Sequence, residues 1–119
     1  MGNISKHFNR SEFACKCGEC RHIAVDKELV DVLEDVRTTF MQPVIITSSY
    51  RCTKHNAAVG GARTSMHLTG KAADIQIRNV APSDVQKYFR NQYKGKYGIG
   101  SYNTFTHIDV RDNEARWDG

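Results

Sequence analysis

Ser65-Met66-His67-Leu68-Thr69-Gly70-Lys71-Ala72-Ala73-Asp74-Ile75-Gln76-Ile77-Arg78 carries a fold signal and a chemical one. From Ala72 onward the chain alternates, with Ala72, Asp74 and Gln76 on one face and Ala73, Ile75 and Ile77 on the other. Side chains on a strand point to opposite faces in turn. The pattern therefore predicts a strand over 72–78 that lays its apolar face on a core and turns Asp74 toward a polar cleft. Gly70 suits the turn before the strand, and His67 falls in the loop leading to it. Downstream, Phe105-Thr106-His107-Ile108-Asp109-Val110 alternates in the same way and puts Phe105, His107 and Asp109 on one face. A histidine, a carboxylate and a distant second histidine form a three-ligand set that holds Zn²⁺ with one position open. That composition belongs to catalytic zinc, whereas structural sites are closed by four protein ligands. The His67-to-Asp74 spacing is not the i, i+4 pair of a helical site; it fits a loop ligand followed by a strand ligand.

The neighbouring elements follow by periodicity. Asp26 is a good N-cap for a helix running to about Met41, with Leu29, Val30, Leu33, Val36 and Phe40 inward and Asp31, Glu34, Asp35 and Arg37 opposite. Pro43 stops that helix. Val44-Ile45-Ile46-Thr47 is a β-branched run expected to form a buried strand, delivering Ser48-Ser49-Tyr50-Arg51 to the surface. A short helix is predicted over Lys54–Val59, closed by Gly60-Gly61. Ser83 with Gln86 reads as a capping box for a helix over about 83–92, Val85 and Phe89 inward. Residues 97–102 and 105–110 read as a hairpin turning at Asn103-Thr104. The order predicts an α+β domain with a small, mainly antiparallel sheet and flanking helices.

At 119 residues with 39% hydrophobic and 25% charged residues, the chain fits one soluble domain, 1–119. Residues 1–25 read as an irregular arm containing a helical turn near Ser11-Glu12-Phe13. No apolar run is long enough for a membrane span, and Met1–His7 lacks the apolar core of a signal peptide. Synthesis in the cytoplasm without a signal is therefore expected. The net charge of +4 is scattered and forms no basic run, so a nucleic-acid partner is not expected. Nothing marks an obligate dimer, and a monomer is expected.

Cys15, Cys17 and Cys20 crowd together ahead of His22, and Cys52 stands apart. Two readings are open. One is a second, structural metal site completed by Cys52 or His22. The other is reduced thiols in a tight loop with one Cys20–Cys52 disulfide. Tyr50, Tyr102 and Trp117 are candidates to line the cleft, and Trp117 is placed to pin the C-terminal tail. His55 is expected in solvent. Asp109 shares a strand face with His107. It is the candidate general base, with orientation of His107 or Arg51 as the competing role.

The Ser-x-His-x-x-Gly-x-Ala-x-Asp pattern at 65–74, the Ser-x-Tyr-Arg segment at 48–51 and the His-x-Asp at 107–109 resemble the D-alanyl-D-alanine carboxypeptidase group of zinc peptidases. That group shares its fold with the Hedgehog signalling domain and includes phage endolysins. The resemblance spans about residues 43 to 118. It implies Zn²⁺ on His67, Asp74 and His107 with water in the fourth position. It also implies that Arg51 anchors substrate and polarises the scissile carbonyl, and that Ser65 hydrogen-bonds substrate. The implied substrate is the peptide stem of bacterial peptidoglycan, cut by a carboxypeptidase or endopeptidase. The implied place of action is the cell wall, reached after holin release or on a phage particle. The carboxylate or histidine that relatives carry just before the second histidine is here replaced by Thr104 and Phe105. A zinc-containing module that binds the wall without cutting it is therefore the competing reading.

Overall fold

The computed structural model describes residues 4–17, 23–61 and 65–119. Helix α1 (Lys27–Phe40) starts where the sequence says it should: the Asp26 side chain accepts a hydrogen bond from the Glu28 N–H at 2.8 Å. It ends at Met41, whose left-handed φ of 56° lets the chain turn into β1 (Val44–Ser48). A short helix α2 (Thr53–Ala58) and a 3-10 turn (Met66–Thr69) lead to β2 (Ala72–Ile77). Helix α3 (Pro82–Gln92), β3 (Gly98–Ser101), β4 (Thr106–Asp109) and β5 (Ala115–Asp118) complete the chain.

The five strands form one sheet in the order β1-β2-β4-β3-β5. The expected strands and the β3–β4 hairpin are present, but the sheet is mixed. β5 runs parallel to β3, whereas β1–β2, β2–β4 and β3–β4 are antiparallel. The cause lies in the connection. β4 ends at Asp109 opposite Gly98, and β5 begins at Ala115 opposite the same Gly98. The chain thus steps over the start of β3 and reverses, so β5 opposes β4 in direction and matches β3. Ala115-Arg116-Trp117-Asp118 alternates apolar and charged residues, but over only four positions, and the sequence reading did not mark it as a strand.

One face of the sheet meets α1 and α3 in a core built from Leu29, Leu33, Val36, Ala73, Ile75, Ile77, Val85, Phe89, Ile99 and Ile108. The N-terminal segment belongs to that core: Phe8 and Phe13 are fully buried, and the Phe13 carbonyl accepts from the Tyr50 N–H at 3.0 Å. Glu34, on the face of α1 expected in water, binds this segment through Ser5 Oγ (2.5 Å), the His7 N–H (2.7 Å) and His7 Nδ1 (2.5 Å). The expected Ser83–Gln86 capping box is absent. Helix α3 begins one residue earlier at Pro82, whose ring presets the helical φ. Gln86 is buried instead and donates to the Tyr102 and Phe105 carbonyls at 3.0 and 3.3 Å.

Candidate metal centre

Strand register assembles the site. Asp74 on β2 lies directly opposite His107 on β4, and His107 lies opposite Gly100 on β3. Gly100 in turn pairs with Trp117 on β5. The row Asp74, His107, Gly100, Trp117 therefore crosses the face of the sheet away from the helices. A side chain at Gly100 would meet the Trp117 ring at 2.7 Å, so the glycine leaves room for the indole to lie against His107. The two rings are 5.1 Å apart.

His67 reaches the same point from the 3-10 turn. Its Nδ1 faces the Ser49 carbonyl at 2.6 Å, and its Nε2 faces Asp74 Oδ1 at 3.3 Å. Ser49 was expected at the surface but is buried; its hydroxyl donates to the Ala72 carbonyl at 2.8 Å. That bond fixes the carbonyl that aims His67. His107 Nδ1 faces Asp74 Oδ1 at 2.9 Å and Nε2 faces Asp109 Oδ2 at 2.8 Å. His67, Asp74 and His107 are all buried, and one ligand atom from each lies within 4.8 Å of the others.

Tautomers assigned from these partners decide what the cluster needs. The Ser49 carbonyl can only accept, so the proton of a neutral His67 sits on Nδ1 and its lone pair on Nε2. The Asp109 carboxylate can only accept, so the proton of a neutral His107 sits on Nε2 and its lone pair on Nδ1. Both lone pairs then point at the same Asp74 oxygen. Three electron-rich atoms converge on one point, and only protons or a cation placed between them make that arrangement favourable. Two imidazoles and one carboxylate are a zinc donor set. The residues present fit the metal.

Burial works against charge on Asp74, but His107 and His67 outweigh it and hold its carboxyl well below the usual carboxylate range. Burial likewise opposes charge on His107, and Asp109 and Asp74 overcome it to raise its pKa. The other Asp74 oxygen faces Arg51 Nη2 at 3.3 Å. Arg51 is held further by Nε donating to Ser48 Oγ (3.1 Å) and Nη1 to Asn56 Oδ1 (3.3 Å). Asn56 was not singled out in the sequence. Its signal was Gly61, where a Cβ would lie 2.1 Å from Asn56 Oδ1 and 3.0 Å from Arg51 Nη1.

A cleft of about 500 Å³ opens over these groups, with Arg51, Ser65, Tyr102, Phe105, Arg111 and Trp117 on its walls. Ser65 also caps the 3-10 turn by accepting from the His67 N–H at 3.2 Å. Tyr102 and Trp117 line the cleft as anticipated, and Trp117 Nε1 donates to the Tyr102 hydroxyl at 3.1 Å. Tyr50 is not on its walls. Asp109 is fully buried beneath it. Arg111 grips its carboxylate with Nε on Oδ1 and Nη2 on Oδ2, each at 2.7 Å, and the Gly98 N–H adds a bond at 3.1 Å. Burial raises its pKa, but His107 and Arg111 more than reverse that and depress it well below the ordinary carboxylate value. Arg111 escaped the sequence reading altogether. Its only signal is its place two residues beyond Asp109.

The family model for Peptidase M15 matches residues 6–109. The chain belongs to that family, the D-Ala-D-Ala carboxypeptidase-like zinc peptidases. The match begins well before residue 43, so the buried Phe8–Phe13 segment is part of the family unit. No curated protein matches the chain. Among the described residues, no helix is long and apolar enough to cross a membrane. Cys15, Cys17 and Cys52 cluster away from the histidines; Cys20 and His22 lie outside the described residues.

Proposed function

We propose that this M15 peptidase hydrolyses an amide bond in the peptide stems of bacterial peptidoglycan, with Zn²⁺ held by His67, Asp74 and His107. The observation that carries the reading is the convergence of two imidazole lone pairs and one carboxylate oxygen at the floor of an open cleft. Zinc bound there supplies Lewis acidity and makes water a nucleophile near neutral pH. The protein's own groups do the remaining work. Ser49 and Asp109 fix the ring orientations from behind. Arg51 occupies the second oxygen of Asp74, which leaves Oδ1 as the single donor toward the histidines. Its bonds to Ser48, Asn56 and Asp74 use three of the five guanidinium N–H groups. Two remain for the substrate carbonyl as it gains negative charge, the stage at which a fixed cation is most effective. Ser65, on the cleft wall, is the candidate hydrogen-bond partner for the peptide.

Asp109 is best read as a positioning residue. Both its oxygens are engaged and none of its surface is exposed, so a substrate's water has no path to it. Carboxylate–histidine pairs of this kind orient metal ligands and raise their basicity.

The test is digestion of purified peptidoglycan followed by mass spectrometry of the released fragments. Wild-type protein is expected to release stem peptides cut at a single type of amide bond, and His67→Ala is expected to release none. Wild-type protein that binds zinc and cell wall yet cuts nothing would establish the non-catalytic module instead.

A further inference from the structure

A second cluster of metal-ligand chemistry lies outside the peptidase site. Cys15 and Cys17 follow the N-terminal 3-10 turn (Arg10–Phe13), while Cys52 follows Arg51 and caps α2. None of the three is in a disulfide, and their sulfurs lie within 4.8 Å of one another. Cys15 Sγ and Cys52 Sγ are 3.7 Å apart. A tetrahedral zinc with Zn–S bonds of about 2.3 Å places its sulfurs about 3.8 Å apart. Two backbone amides also aim at these sulfurs: Cys52 N–H at Cys15 Sγ (3.4 Å) and His55 N–H at Cys52 Sγ (3.5 Å). Amide donors to sulfur tune thiolate–metal centres by stabilising the charge on sulfur.

We propose that Cys15, Cys17 and Cys52 hold a structural Zn²⁺ through three thiolates. Each thiol gives up its proton to solvent as the metal binds, and the fourth coordination position goes to a further donor. The site would fasten the N-terminal segment to the turn that presents Arg51. The Phe13–Tyr50 backbone bond already joins these two stretches, and a metal beside it would lock the position of the substrate-facing guanidinium. The inference stands independently of the peptidase reading, because it uses none of the same ligands.

Zinc counting and cobalt substitution on the full chain, purified under reductant, test it. Wild-type protein is expected to carry two zinc ions, and His67→Ala/His107→Ala and Cys15→Ser/Cys52→Ser one each. Loaded with Co²⁺ alone, wild type and the histidine double variant should show the near-ultraviolet sulfur-to-cobalt charge-transfer absorption. The cysteine variant should lose that band. If the cysteine variant does not fold, the histidine double variant decides alone: a sulfur-to-cobalt band sustains the proposal and its absence overturns it. A Cys15–Cys52 disulfide in the mass of the freshly purified, metal-bearing protein would also overturn it.

Discussion

His107 sits between two carboxylates, Asp74 on one ring nitrogen and Asp109 on the other, and this pairing divides the roles of the two acids. Asp74 faces the cleft floor, whereas Asp109 is walled in by Arg111 and Gly98. Asp109→Asn should therefore weaken zinc affinity about 10–100-fold, as loss of a ligand's supporting partner commonly does. Competition against a chelator measures this. Unchanged affinity with turnover abolished at saturating zinc would instead make Asp109 the base. Arg51→Lys keeps the charge but loses the planar fork shared among Ser48, Asn56 and Asp74. Its kcat/KM should fall about 10²–10³-fold, the usual cost of one donor to a developing oxyanion. At this scale much was legible beforehand. Strand alternation alone put Asp74 and His107 on a common face. Ser49, Asn56 and Arg111 were not legible, because each acts through a contact that exists only after the turns around β1 and β4 have folded.

Among the elements, β5 shows most clearly where sequence reading stops. Three of its four residues are half-exposed and Asp118 is exposed, and its apolar alternation amounts to Ala115 and Trp117 alone, yet it completes the sheet and brings Trp117 against His107. What made it a strand is the open edge of β3 and the reversal after β4, neither of which is local information. Gly100 is the local trace of that packing. Gly100→Ala would drive a methyl group into the indole and should cost about 1–3 kcal/mol, in the range of overpacked interiors. Thermal melts would show the loss, and tryptophan emission should report the displaced ring. Emission identical to wild type would contradict the packing described. The α3 start is a similar case: Pro82 at the first helical position outcompeted the Ser83–Gln86 box, freeing Gln86 to bond the hairpin carbonyls.

Over the whole molecule, charged groups on α1 tie distant segments together, which sets how stability depends on pH. Tyr88 and Tyr93 both donate to Asp35, at 2.7 and 2.8 Å, and Tyr97 donates to Glu28 at 2.6 Å. Burial, then these carboxylates, raise all three phenols above their ordinary value of 10.0. Groups raised in the folded state stabilise it fully below the unfolded pKa and lose that contribution as the pH climbs past it. Stability should therefore decline above about pH 10, and Tyr97→Phe should flatten the decline; a wild-type melting temperature constant to pH 11 would contradict it. Glu34 behaves oppositely. Burial raises its pKa, but Ser5 and His7 outweigh that and hold it below 4.5. Its contribution is present above that value and is lost as the pH falls below it, so Glu34→Gln should destabilise the protein at pH 7 more than at pH 3. The long-range role of α1 was invisible in its periodicity, which marked Glu34 and Asp35 only as the face away from the core.

Amide cleavage is expected to require the metal held by His67, Asp74 and His107, and depletion followed by restoration of that metal measures the requirement. Protein stripped by a chelator and then given zinc should go from no release of peptide from purified peptidoglycan to full release. Undiminished cleavage by the metal-free protein would contradict the account.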